Sequence, residues 1–269
     1  MPKLPQFAIK SAGNVGDFLI EIARLWRLAC EFAYWVFIAP WTGKRSLRRH
    51  AFVEQLVFTG NQSLLIIFVV AASVGAVIAL QSAYQLRQFG AVIYTGALVS
   101  VSMARELSPL VSAIVIAGRV GASIAAELGS MKVQEEMDAL TTMAIQPVPF
   151  LVVPRITAIL VMLPCLTLLS IVIGIAGGLA VGTFGLGIDP HLFLSKSLEA
   201  LVAKDILTGL AKSFVFAFLI GIISTYKGLS VQGGAEGVGR ATTESVVWSI
   251  LSIIVSDCLL TSLFYYAFS

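Results

Sequence analysis

The sequence predicts an all-α integral membrane protein with an N-terminal interfacial amphipathic helix, five transmembrane helices and a cytoplasmic helix between the second and third spans. Of its 269 residues, 58% are hydrophobic and only 12% are charged, whereas soluble domains are about 45–50% apolar and about 25% charged. Five apolar stretches are long enough to cross a hydrocarbon core of about 30 Å. The length allows one membrane domain, residues 45–269, after an N-terminal cytoplasmic or interfacial region, residues 1–44.

The N-terminal region contains an amphipathic helix over residues 15–37. Apolar residues recur there at helical spacing, and a second face is charged, with Asp17, Glu21, Arg24, Arg27 and Glu31. Because these charges make crossing costly, the pattern predicts a helix that lies on the cytoplasmic leaflet and ends at Pro40. Three tryptophans suit the headgroup region: Trp26, Trp35 and Trp41.

The five spans are predicted at residues 63–81, 94–117, 156–184, 206–226 and 245–268. Proline inside a helix commonly causes a kink, which we expect at Pro109 in the second span. Thirteen basic residues fall on the side of the N-terminus and three on the other side. The positive-inside rule therefore predicts a cytoplasmic N-terminus and an external, periplasmic C-terminus.

Other classes of site and location are disfavoured by the sequence. The three cysteines lack CxxC spacing and the two histidines lack metal-ligand spacing, so no metal site or catalytic centre is expected. The basic cluster at residues 44–49 lies just before the first span and is explained by the positive-inside rule, which disfavours nucleic-acid binding. Neither a cleavable signal peptide nor a transit peptide is visible, which favours the bacterial inner membrane.

Charged residues inside the spans are the first candidates for a functional site. Arg105 and Glu106 are adjacent in the second span, where each charge costs about 2.5–3.5 kcal/mol on insertion scales. They either line a transport cavity or form an ion pair that only packs helices. Asp257 in the fifth span has two interpretations. It is either a functional acid, or it makes a fixed structural contact by hydrogen-bonding to nearby hydroxyls or by pairing with Arg105 or Lys212. Lys212 is close enough to the end of its span to snorkel outward.

Small residues recur every four positions after the second span, at Gly121, Ala125 and Gly129. On a helix they form a smooth ridge that another backbone can approach closely. The ridge indicates either simple tight packing or packing beside a moving part.

A short amphipathic helix is predicted next, with an acidic side and an apolar side. The acidic residues are Glu135, Glu136 and Asp138, and the apolar ones are Val133, Met137, Leu140 and Ala144. Pro147 and Pro149 are expected to stop this helix before the third span. Such a segment suits docking into the groove of a partner, although an ordinary loop helix has the same pattern.

Several motifs, taken in order, resemble the MlaE/YrbE family of permeases. They are RELSP at 105–109, AGRVG at 117–121, AAELGSM at 125–131, EEMDAL at 135–140, PR at 154–155 and GVGRATTESVV at 237–247. The resemblance covers roughly residues 45–268. Two departures are Ser108, where the family usually has glycine, and Glu136, where glutamine is common.

The resemblance implies a permease subunit of an ATP-binding-cassette system that moves phospholipids. It implies a homodimer that associates with a cytoplasmic ATPase dimer, an external ring of MCE-domain protein and a small STAS-domain protein. It also implies that Arg105 and Glu106 lie by a lipid cavity at the dimer centre. The residues that would couple to the ATPase are Glu135, Glu136, Asp138, Ala139 and Leu140.

ATP hydrolysis is expected to take place in another polypeptide. The sequence has no GxxxxGK[ST] loop, and the glycine-rich residues 233–239 lack the following Lys-Ser or Lys-Thr. No cofactor is therefore expected in this chain, and ATP would be bound by the partner subunit.

The first functional hypothesis is a lipid permease in which Arg105 holds a phosphate bidentately and Glu106 fixes the orientation of Arg105. Candidate contacts for an acyl chain at the outer end of the first span are Ile78, Gln81, Leu86 and Phe89. One alternative is a proton-coupled secondary transporter that uses Glu106 and Asp257. A non-transporting membrane scaffold is the other alternative.

Overall fold

A computed structural model describes residues 6–38 and 49–268, with side chains described for residues 20–38 and 50–266. Pro40, Trp41 and the basic residues 44–48 lie outside this part of the chain. Every long element in the described part is helical. The helices are α1 (Gln6–Ala33, continued by a π turn Tyr34–Ile38), α2 (Arg49–Arg87), α3 (Val92–Val133), α4 (Glu136–Thr142), α5 (Val148–Phe184), α6 (Pro190–Ala200), α7 (Ala203–Leu229) and α8 (Gly234–Phe268).

Five of these helices, α2, α3, α5, α7 and α8, are long and apolar enough to cross a membrane, as predicted. Among the described residues, α1 does not meet that criterion, which agrees with an interfacial helix. The second span is longer than expected, because α3 continues to Val133 instead of ending near Ala117. Arg119, two residues beyond the predicted end of the second span, therefore lies within α3. Its guanidinium is held by α2, where it donates to the carbonyl of Phe58 and to the hydroxyl of Ser63.

The core of the bundle lies where α3, α5 and α7 meet, around fully buried residues such as Ile116, Leu163 and Phe216. The pair of helices in most extensive contact is α2 with α5. A Cβ added to Gly75 of α2 would collide with the carbonyl of Gly174 in α5. Glycine at these crossings lets the two backbones touch, which is how helices without a hydrophobic driving force pack in lipid.

The ridge of small residues on α3 packs against α7 and the segment that follows it. A Cβ on Gly121 would lie 2.9 Å from the hydroxyl of Ser224, and one on Gly129 would lie 2.8 Å from Val231. This contact confirms that the ridge is a tight packing surface. A role beside a moving part stays a prediction.

The helix α3 is irregular where the kink was predicted. A π turn, Met103–Leu107, precedes Pro109. Proline has no N–H to donate to the carbonyl four residues earlier and crowds it, and a π turn is a common way to absorb such an interruption. As a result Arg105 and Glu106 lie in the widened turn itself.

The short helix between the second and third spans is confirmed, but its face differs from the prediction. Glu135 adopts a left-handed conformation with φ of 58°, so the helical register is broken between Val133 and Met137. Met137 alone of the predicted apolar face is buried, at 4% exposure. Leu140 is partly exposed and Ala144 is exposed.

The expectation that prolines stop this helix is wrong. The helix ends at Thr142, and Ala144 with φ of 58° turns the chain. Pro147 instead caps the π turn Val148–Val152 that opens α5, and Pro149 lies within that turn. The first turn of a helix needs no N–H donor, so it tolerates proline well.

The helix α6, between the third and fourth spans, was not predicted. Asp189 caps it, because its carboxylate accepts from the backbone N–H groups of His191 at 2.8 Å and Leu192 at 3.1 Å. Pro190 occupies its first turn. Phe193 is fully buried and anchors α6 against α3 at Gly96. The Asp-Pro pair is a helix-start signal that the sequence does contain.

Candidate functional site

A close crossing of α7 over α3 builds the candidate site. A Cβ on Gly209 would collide with the backbone carbonyl of Ala104, so only glycine allows this approach. Asp205 and Lys212 lie four residues before and three residues after Gly209, on the same face of α7. The crossing therefore brings these two side chains against the widened turn that carries Arg105 and Glu106.

Arg105 is paired with Asp205. Its Nε lies 2.8 Å from Oδ1 of Asp205, whose side chain is only 9% exposed. The other oxygen, Oδ2, accepts from the backbone N–H of Val202 at 3.1 Å, in the turn that begins α7. Asp205 is thus fixed from two sides, whereas the Arg105 side chain is 46% exposed.

Lys212 is the buried centre of a second group of charges. Its side chain is 2% exposed, and its ammonium donates to Glu106, to Oδ1 of Asp257 at 2.9 Å and to the hydroxyl of Thr261 at 2.7 Å. A lysine ammonium has three N–H donors, so all three are used. The expectation that Lys212 snorkels outward is wrong, because two carboxylates hold it inside the bundle.

Two expectations about the acids have different outcomes. The predicted pairing of Asp257 with Lys212 is confirmed. Glu106, expected to orient Arg105, contacts Lys212 and accepts from Thr261 at 3.1 Å instead. Adjacent residues on a helix do not face each other, so Asp205 of another helix takes the orienting position.

These groups open into a small cleft of about 90 Å³. Its lining comes from three spans and consists of Arg105, Glu106, Thr208, Lys212, Thr261, Phe264 and Tyr265. Pockets that enclose a small-molecule ligand are typically about 300–1,000 Å³. A lipid would therefore fill this cleft with its headgroup only, and a further surface would have to cover its chains.

Several residues of the site were not predicted from the sequence: Asp205, Thr208, Thr261, Phe264 and Tyr265. Two of them had a usable signal in helical spacing. Asp205 precedes Lys212 by seven residues and Thr261 follows Asp257 by four, so each lies on the same face as a charged residue already singled out. Phe264 and Tyr265 had no usable sequence signal, because aromatic residues are common at the end of any apolar span.

The other predicted site residues lie elsewhere. Ile78, Gln81 and Leu86 are on α2, and Phe89, 81% exposed, lies in the turn after it. None of these four residues lines the cleft. Their assignment as acyl-chain contacts stays a prediction.

The predicted coupling residues, between Glu135 and Leu140, lie just beyond the far end of α3, in α4 and at its N-cap. About 28 helical residues separate Arg105 from Val133, roughly 40 Å at 1.5 Å per residue. On this side Glu127 of α3 pairs with Arg155 of α5 at 3.0 Å. This ion pair joins the two helices between which α4 is inserted.

Comparison with known proteins identifies the family. The family model described as Permease MlaE matches residues 52–263. A probable ABC transporter permease protein of Rickettsia prowazekii (strain Madrid E) is 42% identical over 213 residues, which are 79% of this chain and 82% of that protein. A probable ABC transporter permease protein of Synechocystis sp. (strain ATCC 27184 / PCC 6803 / Kazusa) is 41% identical over 219 residues, 81% of this chain and 83% of that protein.

A plant protein is also similar. The chloroplastic protein TRIGALACTOSYLDIACYLGLYCEROL 1 of Arabidopsis thaliana is 35% identical over 213 residues, which cover 79% of this chain and 61% of that protein. The family match spans all five membrane helices in whole or in large part. The chain is accordingly a multi-pass transporter permease subunit, and it belongs to the MlaE permease family.

Proposed function

We propose that this permease subunit moves phospholipids, in an ATP-driven complex that links the bacterial inner membrane to an external MCE-domain protein. The observation that carries the proposal is the Arg105 guanidinium, which is fixed by Asp205 on one side and half-exposed to a cleft on the other. A charged group kept at membrane depth is a functional candidate by default. A lipid phosphate is the ligand that a guanidinium in lipid surroundings suits best.

The geometry of Arg105 favours a phosphate. Arginine carries five N–H donors in a planar fork, and the contact with Asp205 engages Nε. The terminal nitrogens remain able to grip two phosphate oxygens, as in bidentate arginine–phosphate pairs. The plant relative, named after a galactolipid, supports a lipid as the cargo.

A homodimer would supply the missing cover over the cleft. Only 11% of the most apolar 18-residue stretch of the fifth span is buried inside this chain. Thr261, Phe264 and Tyr265 of that same helix line the cleft. A second copy packed along α8 would extend the cleft into a larger cavity, as the family resemblance implies.

A separate ATPase dimer would drive the cycle through α4. Glu136 and Asp138 are exposed, whereas Met137 is buried against α3 and its neighbours. A helix that presents acids outward and anchors one apolar side chain inward fits docking on a partner. The same proposal includes two further partners, an external MCE ring and a STAS-domain protein. It also includes the orientation of the chain, with a cytoplasmic N-terminus and a periplasmic C-terminus.

Lipid transfer in proteoliposomes tests the proposal. The subunit is reconstituted with its ATPase, and transfer of a labelled phospholipid is followed with and without ATP. Arg105→Ala should abolish most ATP-dependent transfer while the complex still assembles. Arg87→Ala, a matched change at an exposed arginine near the end of α2, should transfer normally.

Two outcomes would contradict the proposal. Normal transfer by the Arg105 variant would remove the phosphate contact. Transfer that follows a proton gradient and needs no ATPase would support the proton-coupled alternative with Glu106 and Asp257.

A further inference from the structure

An apolar groove of about 580 Å³ lies between the N-terminal helix α1 and the fourth span, α7. On α1 its lining is a helical stripe, at positions 22, 25, 26, 29, 30 and 33, and on α7 it consists of Phe218, Leu219, Ile222 and Ile223. Among the described residues, this groove and the charged cleft have no lining residue in common. It is therefore a separate site, and its volume is within the range of about 300–1,000 Å³ that is typical of ligand pockets.

The α7 side of the groove lies inside a membrane span. Phe218 and Ile223 precede the end of α7 at Leu229 by eleven and six residues, about 17 Å and 9 Å at 1.5 Å per residue. Water does not fill an apolar cavity, and an empty one forfeits dispersion contacts along its whole lining. The medium that fills this groove is therefore hydrocarbon.

Two contacts between α1 and α7 limit the length of the groove. At one end Glu21 pairs with Lys227 at 2.6 Å, and at the other the rings of Phe32 and Phe218 lie 6.1 Å apart. The eleven residues from Glu21 to Phe32 correspond to about 16 Å of helix. A transmembrane helix of a partner is about 10–12 Å wide and needs about 20 residues to cross, so it does not fit between these contacts. A thin, flexible acyl chain does.

The groove becomes polar at one end. A smaller pocket continues from Ile22 and Ile223 and is also lined by Tyr226, Lys227 and Trp248. The ammonium of Lys227 lies 5.8 Å from the centre of the Trp248 ring. Tryptophan and tyrosine are typical of the headgroup level of a membrane. The lining thus passes from apolar to polar in the order of the parts of a lipid.

From this arrangement we propose that the groove binds one acyl chain of a membrane phospholipid from the leaflet on which α1 lies. The chain lies between the apolar stripe of α1 and α7, and the headgroup leaves at the end marked by Lys227 and Trp248. The bound lipid fills the space between the two helices and holds α1 against the bundle. This site is distinct from the phosphate contact proposed for Arg105 and does not depend on it.

Photocrosslinking tests the site in the full chain. The protein is reconstituted in phosphatidylethanolamine vesicles that contain a phosphatidylcholine with a diazirine midway along one chain. One sample is irradiated in the vesicles and another after extraction and washing in detergent, and adducts are mapped by mass spectrometry. In vesicles, adducts at Leu65, 74% exposed on α2, show that the probe reacts. After washing we expect the Leu65 adducts to be lost, and adducts within 22–33 and 218–223 to remain.

Variants that fill the groove give the matched comparison. Ala29→Trp fills it from α1 and Leu219→Trp fills it from α7, so each should lose the adducts that survive washing. Ala23→Trp is the control, because Ala23 is an exposed residue of α1 that does not line the groove, and it should keep them.

The native chain alone can overturn the proposal. Loss of the groove adducts on washing, together with those at Leu65, would show ordinary contact with bulk lipid. Groove adducts that persist unchanged in both Ala29→Trp and Leu219→Trp would place the chain elsewhere. Adducts at Phe264 or Tyr265 report on the charged cleft instead, so failure of the groove site leaves the proposed transport standing.

Discussion

The ammonium of Lys212 lies 2.9 Å from the carboxylate of Asp257, deep between the fourth and fifth spans. Lys212 also donates to Glu106 of the second span, so one buried cation joins three membrane helices. Desolvating such ions is expensive, and their stability depends on every partner being present. The group therefore specifies how α3, α7 and α8 meet.

Lys212→Met should destabilise the folded chain. The substitution leaves Glu106 and Asp257 close together without their shared cation, and breaking a buried ion pair costs about 3–5 kcal/mol. Thermal unfolding of the purified protein in detergent would show the loss as a lower midpoint temperature.

A triple variant distinguishes the loss of charge balance from the loss of packing. Lys212→Met combined with Glu106→Gln and Asp257→Asn removes all three charges together, and replacing a whole buried ion group is often close to neutral. Most of the lost stability should return. A triple variant as unstable as the single one would show that the shape of Lys212, not its charge, is required.

Asp205→Asn should impair transport and leave assembly intact. The amide still accepts the backbone N–H of Val202, but the charged contact that orients Arg105 is lost. Hydrogen bonds to charged groups contribute about 1.5–3 kcal/mol, so lipid transfer should fall about tenfold or more. Transfer rate and size-exclusion profile are measured together. Native transfer rates would show that Arg105 needs no orienting carboxylate.

Gly209→Ala should destabilise the crossing of α7 over α3. The new Cβ meets the carbonyl of Ala104, and backbone cannot move aside as a flexible side chain can. Overpacking of this kind costs about 1–3 kcal/mol. Gly239→Ala is the matched control, since nothing lies within 4 Å of a Cβ there. Equal unfolding temperatures for the two variants would rule out a constrained crossing.

Charge reversal on α4 should release or uncouple the ATPase. Glu136→Lys with Asp138→Lys inverts the exposed acidic face while leaving Met137 buried. Co-purification of the ATPase and its hydrolysis rate are measured, with Glu199→Lys as the control, because α6 follows the opposite end of α5 from α4. Undiminished binding and hydrolysis in the double variant would remove α4 as the coupling element.

The sequence anticipated the elements whose signal is local. Five long apolar stretches predicted five spans, and the charges of the N-terminal helix predicted that it does not cross. The limits of these elements were less well predicted. Polar residues such as Arg119 looked like the end of a span, yet a hydrogen-bonding partner on α2 keeps them within α3. The sequence predicts a helix stop at Pro147, although proline is equally suited to starting a helix.

Composition, apolar length and motif order were enough to determine that this chain is a multi-pass permease subunit, because each depends on residues near one another in sequence. They also singled out Arg105, Glu106 and Asp257 as charged residues inside apolar spans. Tertiary structure alone decided which charge meets which. Asp205 and Lys212 reach α3 because α7 crosses it at Gly209, and a contact over about a hundred residues leaves no periodic signal. Whether an intramembrane charge is free or paired is therefore set by helix packing.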